Sequence, residues 1–117
     1  MSDNAWVPQA RGVLAELQAG DAPPRDEQRA AVKAALAALV DRAPGRSVEV
    51  RVPPFAAVQA VEGATHRRGT PPAVVEMDAA TWLALALGEL GWIDAVSEGK
   101  VRASGARSDL SGLLPLI

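Results

Sequence analysis

The sequence predicts an α+β fold in which a small, mostly antiparallel sheet is covered on one face by helices. Three observations carry that expectation. Residues 47–52 alternate Val48, Val50 and Val52 with Ser47, Glu49 and Arg51, the period of a half-buried strand. Residues 25–43 set Val32, Leu36, Leu39 and Val40 on one helical stripe. Residues 73–116 then pass through strand, helix, helix, strand and helix, with glycine at most of the stops. Strands and helices in separated runs, with antiparallel neighbours early on, indicate α+β.

Taken in order, Pro8 suits the first turn of a helix whose apolar side is Val13, Leu14 and Leu17 and which ends at Gly20. This helix and the linker around Asp21-Ala22, residues 1–22, read as a peripheral start to a single domain spanning residues 1–117. Pro23-Pro24 cannot lie inside a helix, so the long second helix begins after them. Asp26 and Glu27 suit the positive end of its dipole and Arg42 the negative end. Pro44-Gly45 stops it, the valine strand follows, and Pro53-Pro54 ends that strand. A second strand with poor alternation is expected over residues 55–61, then a loop over 62–72 and a third strand over 73–77. Asp78 is the N-cap of the next helix and Gly88 its left-handed stop. A short helix from Trp92 follows. Gly99-Lys100 turns the chain into a strand with Val101 and Ala103 on one face, and Gly105 releases it into a leucine-rich last helix.

The order and glycines of this C-terminal half resemble the sterol carrier protein family, and its small bacterial branch in particular. Asp78, Trp82, Leu83, Leu87, Gly88, Leu90, Ala95, Gly99, Lys100, Val101, Gly105, Leu110 and Leu113 carry the resemblance. The glycine-rich hairpin and aromatic strand of the longer members are missing here. The resemblance implies a sterol-carrier-like fold and binding of an apolar or lipid-like small molecule, with no catalysis and no cofactor.

Composition excludes several other classes. The net charge of −2 lacks the basic footprint that releases counterions from phosphate, so no nucleic-acid partner is expected. The absence of cysteine removes disulfides, thiol catalysis and cysteine-held zinc. No apolar run approaches the length that spans a bilayer and no leader pattern opens the chain, so a cytoplasmic protein is expected. Aromatic residues make up only 3%, with one Phe and no Tyr, so Ala, Val and Leu must fill the interior.

Residues that carry chemistry are few. His66 is the one histidine, and Arg67 and Arg68 beside it in a Gly/Pro-rich loop disfavour its protonation; the trio reads as solvated, with an anionic head group as its other use. Asp78 and Asp109 read as helix caps, and Asp94 and Glu98 as an i, i+4 pair on a wet face. Ser104, Ser108 and Ser111 have no activating base other than His66, and neither a nucleophile elbow nor a phosphate loop is present. Catalytic and metal-binding residues are therefore predicted to be absent.

Apolar positions are the candidate ligand-binding set: Val48, Val50, Val52 and Val58 from the sheet, Trp82, Leu83 and Leu87 from the capped helix, Trp92 and Val96 from the next, and Leu110, Leu113 and Leu114 from the last. They read either as a filled core or as the lining of a slot between sheet and helices, the latter being what the resemblance implies. Trp82 and Trp92 are open to the same two readings, a core pair or one wall of a rim. The apolar tail from Leu113 to Ile117 covers the mouth of such a slot, docks on its own domain, or pairs with a second copy. The alternative function is a ligand-free module whose sheet face or tail contacts a partner protein, in a homodimer or with another chain. An accessory role behind a thiol-dependent maleylpyruvate isomerase bundle fits less well, since one histidine cannot supply a three-ligand metal site.

Overall fold

The computed structural model describes residues 4–63, 73–105 and 108–117. In these the elements run α1 (Val7–Gln18), α2 (Arg25–Arg42), β1 (Val48–Val52), β2 (Ala56–Ala60), β3 (Ala73–Met77), α3 (Ala79–Leu87), α4 (Trp92–Ser97) and β4 (Val101–Ser104). The loop carrying His66, Arg67 and Arg68 lies outside the described residues.

The sheet order is β2-β1-β3-β4. β1 and β2 form an antiparallel hairpin with Val50 opposite Val58, and β3 and β4 are antiparallel with Val75 opposite Ala103. Between them, β1 and β3 are parallel, Val50 facing Val75. The sheet is thus mixed and not mostly antiparallel. The hairpin uses one edge of β1, and β3 enters on the other edge in the same direction as β1, a choice that no local pattern encodes.

One face of the sheet is buried. Val48, Val50, Val52, Ala60, Ala73, Val75, Met77 and Val101 join a single apolar cluster with α1, α2 and α3. The register places Glu49, Gln59, Val74 and Ser104 in one row on the other face, and Ala57, Arg51, Glu76 and Arg102 in a second. On that face Arg51 and Glu49 form an ion pair at 2.7 Å.

At the centre of the cluster lies α3. Eight of its nine residues are buried, which is what an Ala/Leu helix that is apolar all round requires. Ala10, Val13 and Leu14 of α1 join it from one side and Ala35, Leu36 and Leu39 of α2 from another. Trp82 is fully buried, and its indole N–H is directed at the Val32 carbonyl, 3.4 Å away. Asp78 caps α3 by accepting from the Thr81 N–H at 2.8 Å. Gly88 closes it at φ +80°, and a Cβ there would sit 3.3 Å from Cβ of Pro115. Gly88→Ala is expected to cost roughly 1 kcal/mol through left-handed strain, read as a shift of the urea midpoint at unchanged slope.

A second glycine allows a tight crossing. Gly45, at φ +153°, runs directly over the peptide joining Val61 to Glu62. Val61 itself holds φ +70°, a rare conformation for a β-branched residue. It is tied in place because its N–H donates to Ala43 O at 2.7 Å, while its carbonyl accepts from Ser47 N at 3.0 Å and Ser47 Oγ at 2.6 Å.

The expected last helix does not form within residues 108–117, which hold one turn at residues 111–113 and otherwise extended chain. Asp109 spends its carboxylate on the Ser111 N–H at 2.8 Å, closing a local turn of the kind that competes with helix. That bond holds the Asp109 carboxyl below its ordinary value. Pro115 has no N–H to give to a helix. The tail instead lies across α2 and α3: Leu116 N donates to Ala86 O at 2.9 Å, and Arg42 donates to the carbonyls of Leu113 and Pro115 at 3.1 and 2.7 Å.

Candidate functional site

The structure gathers most of the candidate apolar residues into one packed interior. Val48, Val50, Val52, Trp82, Leu83, Leu87 and Leu110 are buried, and Val58, Trp92, Leu113 and Leu114 pack against them half-buried. Val96 does not join them. It lies on the outer side of α4, 43% exposed, because only Ala95 of that helix is buried. Trp82 and Trp92 divide in the same way, the first sealed in the core and the second at its edge.

An open space lies just beyond this interior, where the ends of β1 and β3 meet the helices. It is a cleft of about 360 Å³ lined by Leu17, Arg25, Gln28, Pro53, Pro54, Phe55, Asp78, Ala79 and Ala80. Four elements converge on it: the end of α1, the start of α2, the β1–β2 turn and the start of α3. Its walls are mainly apolar, from Leu17, the two prolines, Phe55 and the two alanines. Asp78 is engaged as the α3 cap and the Gln28 amide donates to Pro23 O at 2.7 Å, while Arg25 adds a guanidinium to the lining. Its apolar part can accept an apolar body by excluding water, and among the described residues that line it no nucleophile stands beside a base.

None of these lining residues belongs to the apolar set expected from the sequence. Pro53-Pro54 reads locally as the end of a strand, and Leu17 as the last apolar position of a short helix. Their meeting depends on how α1 returns over the sheet end. The one signal within reach was Phe55, the single phenylalanine of the chain, placed directly after two prolines in a turn.

Two further clefts are more polar in their residues. One of about 310 Å³ lies between α1 and α2 beside Gln9, Gly12, Val13, Glu16 and Glu27. The other, of about 230 Å³, lies at the β3–β4 edge beside Val74, Glu76, Arg102, Ala103 and Ser104. No group of three His, Cys, Asp or Glu side chains is arranged to hold a metal ion among the described residues. No helix among them is long and apolar enough to cross a membrane.

Residues 24–116 match the family model described as bacterial SCP ortholog, whereas no curated protein matches the chain. Since the match takes in everything from the start of α2 to the tail, the chain belongs to that family, as a small bacterial sterol-carrier-like domain.

Proposed function

We propose that this family member binds an apolar or lipid-like small molecule, performs no covalent chemistry on it, and does so on a sterol-carrier-like fold. The observation that carries the reading is the cleft between the sheet end and the helices. Its volume of about 360 Å³ is above the roughly 300 Å³ at which small-molecule pockets begin, and its walls are Leu17, Pro53, Pro54, Phe55, Ala79 and Ala80. Farther along α3 itself lie the packed Trp82, Leu83 and Leu87, so a longer ligand would reach them only by parting side chains packed in the core. Cytoplasmic residence belongs to the same proposal, since a chain without cysteine draws no stability from an oxidising compartment.

The test is a thermal melt with acyl chains and sterols titrated below their aggregation limits. A ligand that binds only the native state adds about 2.7 kcal/mol at a hundred times its Kd, and each kcal/mol moves Tm by several degrees in a domain of this size. Ala80→Trp, which fills the cleft, is expected to abolish the shift while leaving the free protein folded. No shift with any ligand would end the carrier reading.

A second reading is favoured by the packed interior. Val48, Val50, Val52, Trp82, Leu83 and Leu110 are each fully buried in mutual support, as in a core built to be filled. On that reading the domain is a ligand-free interaction module, and the melt shows no ligand dependence.

A further inference from the structure

We infer that the cleft at Phe55 takes a flat ring compound bearing a carboxylate, with Arg25 as the partner of that carboxylate; this rests on the binding reading above and names its ligand class. Six of the nine lining residues are apolar, and three of those, Pro53, Pro54 and Phe55, are consecutive rings between β1 and β2. Ring faces suit a flat ligand, and a rigid ligand gives up few rotors on entering an open cleft. A long chain has less to gain, because Trp82, Leu83 and Leu87 farther along α3 are already packed in the core.

Charge sets the polar end of the ligand. The other three lining residues are Arg25, Gln28 and Asp78. Two of them are engaged within the fold, since the Gln28 amide donates to Pro23 O and the Asp78 carboxylate accepts from the Thr81 N–H. Asp78 is the one acid of the lining, and its charge is partly met by the start of the helix that it caps. Arg25, the first residue of α2, has no hydrogen bond or ion pair with any described residue. Asp26 and Glu27, which follow it in the same turn, are exposed and do not line this cleft. A guanidinium matches a carboxylate through two parallel N–H···O bonds, and the pair gains strength where a ligand sheds water from apolar walls beside it.

The test compares 2-naphthoate with 2-naphthamide, the same ring system without the charge, and with octanoate, the same charge without a ring. Binding to the full chain is read by calorimetry and by amide chemical shifts. Naphthoate is expected to move the amides of Arg25, Gln28, Phe55 and Ala79, to bind about fivefold more tightly than naphthamide, and to lose that margin with added salt. Arg25→Gln is expected to make the two ring compounds equal, whereas Arg29→Gln, one turn on and outside the lining, keeps the margin. Ala80→Trp removes the binding of both. The inference is overturned, and the binding reading left standing, if naphthamide binds as tightly as naphthoate, if Arg25→Gln leaves the margin intact, or if only octanoate, longer chains or sterols bind. Binding of none of these compounds would end both.

Discussion

Val50→Asp is expected to lower stability by about 3–5 kcal/mol, a large share of the roughly 5–15 kcal/mol that holds a folded domain together. Val50 is fully buried in β1 with Val58 on one side and Val75 on the other, so a carboxylate there has neither water nor a partner. Its neighbour points the opposite way. Glu49→Ala removes an exposed pair with Arg51 and is expected to cost about 0.5 kcal/mol, within the usual range for surface ion pairs. Urea melts of the two variants decide the matter, and equal losses would mean that the faces of the sheet are reversed.

Gly45→Ala is the second large effect, expected at about 2–4 kcal/mol from left-handed strain and backbone overlap together. The added methyl would fall on the carbonyl group of Val61 and the nitrogen of Glu62, and backbone cannot rotate aside as a side chain can. Either the α2–β1 turn opens or the end of β2 moves away from Ser47. Gly12→Ala is the control. It lies within α1 with nothing within 4 Å of the new carbon, so replacing it should stabilise the protein by about 0.5–1 kcal/mol. A Gly45→Ala protein as stable as the parent would show that the crossing is looser than the structure has it.

Much of the fold is legible in the sequence because its cues are local. The alternation of Val48, Val50 and Val52 assigns the buried face of β1, and Asp78 and Gly88 mark the two ends of α3 within one residue. The sheet order is another matter, since the pairing of β1 with β3 depends on which edge the returning chain selects. Leucines at 110, 113 and 114 have helical spacing, yet Asp109, Pro115 and the acceptors claimed by Arg42 hold that segment as a strap. The candidate site was half legible for a similar reason. Hydrophobicity identifies Trp82 and Leu83 as interior, but whether interior side chains enclose a space or fill one is decided by volumes across four elements. The cleft at Phe55 arises from that convergence.

The parallel ladder between β1 and β3 is also a seam. In the sheet order β1 and β2 lie on one side of it, and β3 and β4 on the other. Each half can form its own antiparallel partnership, by a short turn for β1 and β2 and through α3 and α4 for β3 and β4. Joining the halves requires closure over a much longer stretch of chain than the hairpin does, and one similar to that between β3 and β4, before any ladder contact rewards it. Folding kinetics should therefore be more sensitive at the long-range ladders than in the hairpin: trimming Val75, which pairs in both, should slow refolding, while trimming Val58 in the hairpin should chiefly speed unfolding.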